Sequence, residues 1–320
     1  MYATASVRAV GLLALGLGAV GAASAAASGP GRDAATLTEP LADPSPAPPW
    51  QAPDPAPLGP AASFEEQVIE LVNEERWLDS QRPPLKGQGQ LATAAEQHSV
   101  NMGVRNFFSH CDLDTGTMPG QRITAAGYLW NAAGENAAAG QSTPAAVMAS
   151  WMASSGHASN ILSLNYREIG VGYSLDGGDV GNVRLDLDSN CFPESTDGPY
   201  FSYWTQDFGR RNDVYPVVID REAYSTTSVN VDLYLYGVGW AQEMRIRNSG
   251  GPFTPWMPFA ADVPWTLGSC GGLKTVIAEI RNGAVVRSAS DTIVLDLPIC
   301  LLFGDGFESG DTTEWSDEVP

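Results

Sequence analysis

The chain has 320 residues and carries 37 acidic against 17 basic side chains, which gives a formal net charge of −20. A surface this acidic repels a phosphate backbone, so nucleic acid is excluded as a partner. The length exceeds that of one small domain and allows two separate cores.

The first 25 residues have the features of a secretory signal peptide. Arg8 precedes a short apolar run over residues 9–22, and Ala23-Ser24-Ala25 fits a cleavage site. The run is too short to span a bilayer comfortably, and no later segment is apolar enough to do so. We therefore predict that residues 1–25 are removed and that the protein has no membrane span. It is expected to be secreted, with retention at the cell surface as the alternative.

Residues 26–62 are rich in Pro and Ala and are predicted to form an extended linker. A first helix is expected from Ser63, where Ser63 and Glu66 match a capping box, to about residue 78. A second is expected over residues 91–106 and a third after Thr143-Pro144. Strands are predicted at residues 168–174 and 200–208. Helices followed by strands favour an α+β fold or a layered αβα arrangement for residues 63–209.

The pattern changes after Gly209. Apolar residues alternate with polar ones over residues 229–236, and about seven short strand-like segments lie between residues 214 and 298. This pattern predicts a small all-β sandwich, immunoglobulin-like in outline, over residues 212–300. Residues 301–320 form an acidic, Gly-rich tail that is too short for a core.

Several motifs follow one another in the region between residues 64 and 209. They are Phe107-Phe-Ser-His110, Gly134-Glu-Asn136, Trp151 followed by Gly156-His157, Glu168-Ile-Gly-Val-Gly-Tyr173, and Trp204-Thr-Gln206. The motif at residues 134–136 is predicted to form a turn. In this order the motifs resemble the bacterial branch of the CAP superfamily (cysteine-rich secretory proteins, antigen 5 and pathogenesis-related 1), also called the SCP domain. The resemblance implies an αβα sandwich with a large central cleft, in a family whose members are usually secreted.

The resemblance also implies a set of cleft residues. Eukaryotic members hold two His and two Glu in the cleft, and His110 and Glu135 match one of each. Ser154 stands where the second Glu is expected and Tyr203 where the second His is expected, while His157 is the bacterial substitute. We predict that His110, Glu135 and His157 line the cleft. The adjoining strand is expected to contribute Tyr203 and Gln206.

A divalent metal is the cofactor that this set of residues suggests. Two imidazoles and one carboxylate with an open fourth position suit Zn²⁺. The candidate ligands are therefore His110, Glu135 and His157. Calcium is the weaker alternative, at an acidic loop whose other interpretation is a solvated surface segment. That loop contains Asp186, Asp188, Asn190, Glu194 and Asp197.

The favoured function is binding of an extracellular or envelope ligand, such as a lipid, peptide or glycan, in this cleft. Whether the protein is an enzyme stays open, because no nucleophile with a base at a recognisable spacing is present. One alternative is a secreted hydrolase in which Glu135 is the base, assisted by His110 and His157. Another is a purely structural polar network. A third is an inert CAP scaffold with an adhesive β-sandwich, in which tryptophans such as Trp240, Trp256 and Trp265 stack on sugars rather than fill the core.

Two further predictions concern buried positions. Four cysteines in an exported chain favour disulfides, and the pairing that respects the domain boundary is Cys111–Cys191 with Cys270–Cys300. His98 falls on the apolar face of the second helix and is expected to be a core residue with its hydrogen bonds satisfied.

Overall fold

A computed structural model describes residues 13–15 and 62–299 of the chain. Leu13–Leu15, which lies inside the predicted signal peptide, forms a short strand, β1. The rest of that segment, the linker up to residue 61, the tail and Cys300 lie outside the described residues. Within the described ranges, no helix is both long enough and apolar enough to cross a membrane.

Helices and strands are interspersed up to Arg210, and the described residues after it, up to 299, contain strands but no helix. The helices are α1 Phe64–Ser80, α2 Gly89–Val104, α3 Pro119–Ala125, α4 Pro144–Ala153 and α5 Ser155–Ile161. The strands that follow β1 in the first part are β2 Lys86–Gly87, β3 Phe107–Phe108, β4 Ala132–Ala139, β5 Glu168–Leu175, β6 Val183–Leu185, β7 Ser195–Asp197 and β8 Ser202–Arg210. The second part contains β9 Val217–Ile219, β10 Ser225–Thr226, β11 Asn230–Leu235, β12 Glu243–Asn248, β13 Met257–Pro258, β14 Asp262–Thr266, β15 Gly272–Asn282 and β16 Val285–Leu295.

The first part is built on a five-stranded sheet of order β1-β4-β8-β5-β2. Strand β8 is central and pairs antiparallel with both β4 and β5. Helix α2 covers one face, and α1, α4 and α5 contribute Val68, Trp151 and Ile161 to the core on the other face. Helices on both faces of one sheet give the mixed α+β fold that the sequence predicts.

Two glycines of β5 let α2 approach the sheet closely. A Cβ atom at Gly170 would lie 2.0 Å from the backbone N of Ala92, and one at Gly172 would lie 2.2 Å from that of Glu96. Only glycine fits at both positions, because the conflict is with backbone rather than with a flexible side chain. This close packing fixes α2 over the strands that carry the candidate site.

The caps of α1 and α4 match the sequence prediction. Ser63 and Glu66 form the predicted capping box, and the Thr143 hydroxyl accepts a hydrogen bond from the backbone of Ala146 at the start of α4. The predicted turn at residues 134–136 is wrong. Gly134, Glu135 and Asn136 lie within strand β4, where they pair with β8.

The second part consists of two sheets around one core. A five-stranded sheet has the order β10-β16-β15-β12-β13 and a three-stranded sheet the order β14-β11-β9. Alternating residues such as Val231, Leu233 and Leu235 of β11 are buried against Ile246 and Ile280 of the larger sheet. The all-β character is therefore present, and the immunoglobulin-like outline stays a prediction.

Candidate functional site

Glu135 lies at the centre of a buried chain of charged and polar groups. It projects from β4 towards the face covered by α2 and is fully buried. One carboxylate oxygen is 2.7 Å from Nδ1 of His110, and the other is 2.5 Å from Nη2 of Arg122 in α3. Both oxygens of Glu135 therefore have a partner, and His110 is held at the end of the chain with its side chain 9% exposed.

Arg122 also fixes the loop that carries His110. Its Nη1 donates to the backbone carbonyl of His110 at 2.9 Å and to that of Thr117 at 2.8 Å. The guanidinium thus connects the loop, α3 and Glu135 in one fork of directed hydrogen bonds. This geometry orients the His110 ring relative to the carboxylate.

The balance of charges keeps Glu135 ionised. Burial alone would raise the pKa of its carboxyl, but the Arg122 guanidinium and the hydrogen bond from His110 outweigh burial and lower it to about 2. The carboxylate accepts the Nδ1–H of His110, so the lone pair of the neutral imidazole is on Nε2.

A second buried carboxyl group, Asp207 of β8, lies directly opposite Glu135 in the strand pairing. It is also fully buried, and neither of its oxygens has a donor within the described part of the chain. Burial, followed by the negative charge of Glu135, raises the pKa of Asp207 well above its ordinary value. Burial and the negative charge of Glu135 thus both favour the protonated form of Asp207.

His157 of α5 completes the predicted trio. The residue is 8% exposed, and its backbone carbonyl accepts a hydrogen bond from Asn136. Burial lowers the pKa of its imidazole to about 3, and the neighbouring His110 adds to the effect. His157 is consequently uncharged at neutral pH, next to His110.

The two predicted residues on β8 lie on opposite faces of the sheet. Gln206 points to the opposite face of the sheet, where its amide oxygen accepts from Asn136 at 3.0 Å. Tyr203 shares the face of Glu135 but pairs with Ala139, four residues further along β4. Its hydroxyl donates to Asp179 at 2.7 Å. Because side chains alternate along a strand, residues 203 and 206 cannot both face one cleft.

His98 and Ser109 hold the His110 loop in place through hydrogen bonds. Nε2–H of His98, which is fully buried, donates to the carbonyl of Ser109 at 2.8 Å, while the hydroxyl of Ser109 donates to Asp186. Burial lowers the pKa of His98 to about 3.

The predicted disulfide Cys111–Cys191 is present and connects the His110 loop to the acidic segment around Asp186. Cys270 is not free either, but Cys300 lies outside the described residues, so that bond stays a prediction.

The predicted trio does not fit a divalent cation. Both oxygens of Glu135 are already engaged, one of them by a guanidinium cation whose charge would repel a metal ion. Within the described residues, the group of three candidate ligands close enough to share one ion is a different one: Asp186, Asp188 and Glu194. These belong to the loop for which calcium was the weaker alternative. Asp186 already accepts hydrogen bonds from Ser109, Asn190 and Cys191.

Sequence reasoning missed Arg122 and Asp207. A signal was available for Asp207, because it is a charged residue in the middle of the aromatic strand Tyr203–Gly209. A charge at such a position is rarely buried without a specific partner. Arg122 gave no comparable signal, since α3 is short and is linked to Glu135 only by the fold.

Comparisons with known proteins concern this same part of the chain. Residues 69–208 match the sequence model of the cysteine-rich secretory protein family, CAP. This part of the chain is therefore a CAP domain, and the resemblance found in the motifs is confirmed.

A relative with a similar sequence is the protein named uncharacterized protein YkwD from Bacillus subtilis (strain 168). It is 38% identical over 116 residues, which cover 36% of this chain and 44% of the relative. The chain thus spans less than half the length of this relative.

Solved structures of bacterial proteins are also similar. One is an extracellular protein containing an SCP domain from Bacillus anthracis str. Ames, with 27% identity and a TM-score of 0.35 over 46% of this chain and 40% of that one. Another is an outer surface protein from Borrelia burgdorferi, with 19% identity and a TM-score of 0.35 over 48% of this chain and all of that one.

Proposed function

We propose that the protein is secreted and that its CAP domain binds an extracellular or envelope ligand in a cleft lined by His110, Glu135 and His157. The observation that carries the proposal is the buried chain Arg122–Glu135–His110. Removing an ion pair from water costs free energy that apolar side chains of similar volume would not cost. A buried pair that ends on an imidazole is better explained by binding than by stability alone.

The chemistry of this chain favours a ligand with neutral polar groups. The guanidinium of Arg122 is already neutralised by Glu135 and is not available for an anion. With its Nδ1–H donated to Glu135, the His110 ring offers Nε2 to a ligand, and the His157 ring is uncharged at neutral pH. Hydroxyl and amide groups, as found in glycans and peptides, match such partners.

Ligand capture by a variant of His110 tests the proposal. The purified protein would be applied to panels of lipids, peptides and glycans, together with His110→Asn and the surface control Glu74→Gln. Loss of one hydrogen bond to the ligand should weaken binding by about tenfold in His110→Asn, with binding by the control unchanged. Equal capture by both variants would show that the cleft is assigned incorrectly.

Hydrolysis is the second candidate function, and one observation favours it with His110 instead of Glu135 as the base. The carboxylate–imidazole pair of Glu135 and His110 has the arrangement that orients a general base. Since Glu135 has a pKa of about 2, it is a poor base at neutral pH, and the proton acceptor would be His110. Product formation from the same panel, abolished in His110→Asn and insensitive to a chelator, would support this role.

A further inference from the structure

The CAP domain and the β-sandwich meet along a seam of directed hydrogen bonds. The side chain of Asn73 donates to the carbonyls of Leu85 and Arg221, at 2.9 and 2.8 Å. The hydroxyl of Tyr236 donates to the carbonyl of Pro84 at 2.9 Å. The seam joins α1 and the segment before β2 in the CAP domain to the segments that follow β9 and β11.

A cavity of about 370 Å³ opens in this seam. Its apolar walls come from both domains, and they include Ile69, Ile169 and Val171 on one side and Ile293 and Val294 on the other. It is lined by elements other than those that carry His110, Glu135 and His157, so it is distinct from the CAP cleft.

The charges that line the cavity are mostly negative. Glu65, Glu66 and Glu222 contribute carboxyl groups, and Lys86 contributes one ammonium group. That ammonium is bonded to Glu222 and lies 2.6 Å from Asp291, which stands behind it. Among the described residues of the lining, the single cation is therefore shared between two carboxylates, and the cavity keeps an excess of negative charge.

Glu222 is a second indication that the cavity has more negative than positive charge. One of its oxygens accepts from Lys86 and from the backbone N–H of Gly87, whereas the other is buried without a donor in the described part of the chain. Burial and the repulsion from Asp291 raise the pKa of Glu222 to about 8, although Lys86 opposes them. Tyr224 also lines the cavity, and an aromatic ring is a group that attracts cations.

We propose that the seam cavity binds a small amphiphilic cation, in which an ammonium group faces the carboxylates and an apolar chain lies against the aliphatic walls. Its volume lies within the range of small-molecule sites. The proposal is independent of the CAP cleft and of its ligand.

Calorimetric titration of the purified protein at pH 7 with three probes of equal chain length tests the ligand class. The probes are n-hexylamine, which is a cation, 1-hexanol, which is neutral, and hexanoate, which is an anion. Hexylammonium should bind at least about tenfold more tightly than hexanol, because one opposite charge near a partly buried carboxylate has an effect of this order. Equal affinities for the amine and the alcohol, or no binding of the amine, would overturn the proposal.

Two variants then test the location. A Cβ at Gly89, which lines the cavity, meets nothing within 4 Å, so a side chain can start there, and Gly89→Leu should reduce binding by occupying part of the cavity. A Cβ at Gly177 also meets nothing within 4 Å, and this loop residue lies outside the cavity lining, so Gly177→Leu is the matched control. Equal binding by the two variants, with unchanged melting temperatures, would place the probe elsewhere.

Two charge variants on α1 test the electrostatic contribution to hexylammonium binding. Glu65→Gln removes a carboxylate from the rim and should weaken hexylammonium binding about threefold to tenfold while leaving hexanol unaffected. Glu74→Gln, on the same helix but outside the lining, should change neither. Identical effects of the two substitutions would contradict a local charge and overturn the cation assignment.

Discussion

Two buried charge clusters in this protein can be compared directly: the one around Glu135 in the CAP domain and the one around Lys86 at the seam. Each has two carboxyl groups close to one strong cation. In the first, Arg122 forms an ion pair with Glu135, and the pKa of Asp207 is raised by burial and by the charge of Glu135. In the second, Lys86 lies between Glu222 and Asp291, and burial together with the charge of Asp291 raises the pKa of Glu222.

The difference lies in the geometry of the cation. The Arg122 fork reaches Glu135, the His110 carbonyl and Thr117 in fixed directions, whereas the Lys86 ammonium is a point charge that serves two acceptors. The guanidinium of Arg122 fixes the position of one carboxylate, Glu135, which can then orient the neighbouring imidazole. The ammonium of Lys86 is shared between two carboxyl groups, so the site around it has more negative than positive charge.

The largest effect is expected from removing the directed cation. Arg122→Met leaves the Glu135 carboxylate buried without its ion-pair partner and should lower the free energy of unfolding by about 3–5 kcal/mol. Urea denaturation measures this loss. A change below about 1 kcal/mol would mean that Glu135 takes up a proton at little cost. That result would contradict the difference inferred between the Arg122 and Lys86 clusters.

Removing the shared cation should cost less. Lys86→Met leaves Glu222 and Asp291 facing each other, but Glu222 can hold a proton and its side chain keeps 15% exposure. The loss in the same urea experiment should be about 2 kcal/mol, between the values for exposed and buried pairs. A loss equal to that of Arg122→Met would show that the two clusters are equivalent.

The pH dependence of stability should have opposite signs for Glu135 and Glu222. Glu135 has a folded pKa of about 2, below its ordinary value of 4.5, so its contribution is present above pH 4.5 and is lost as the pH falls towards 2. Glu222 has a folded pKa of about 8, above its ordinary value of 4.5, so its contribution is present below pH 4.5 and is lost as the pH rises through 8.

Melting temperatures between pH 3 and pH 9 test this contrast. Glu222→Gln should flatten the decline on the alkaline side and leave the acid side unchanged, because the amide does not titrate. Glu74→Gln, on the exposed surface of α1, serves as the control. An alkaline decline of unchanged slope in Glu222→Gln would refute the raised pKa.

The smallest effect on the melting temperature is expected from adding or removing a metal ion. Since Arg122 already neutralises Glu135, neither zinc nor EDTA should shift the melting temperature through the CAP cleft. A stabilisation by zinc that disappears in His110→Asn would contradict this interpretation of the cleft. A shift that persists in that variant would point to another part of the surface, such as the acidic loop at Asp186.

The sequence allowed the α+β class, the helix caps, the Cys111–Cys191 bond and the pair His110–Glu135 to be predicted. It misplaced residues 134–136 in a turn, because an Ala-rich segment has low strand propensity and pairing with β8 overrides it. Gln206 was assigned to the cleft because of its motif, and the alternation along β8 places it on the face opposite Glu135, next to Asn136. Arg122, Asp207 and the seam cavity depend on contacts between distant elements, which no local pattern encodes.

The most direct test of the central claim is the tautomer of His110, observed by long-range ¹H–¹⁵N NMR of the imidazole rings. The chain has three histidines, so the spectrum can be assigned with single substitutions. If Glu135 orients the ring, neutral His110 carries its proton on Nδ1, and His98, which donates to Ser109, carries its proton on Nε2. A neutral His110 with its proton on Nε2 would contradict the account, because Glu135 would then not hold the imidazole for ligand binding.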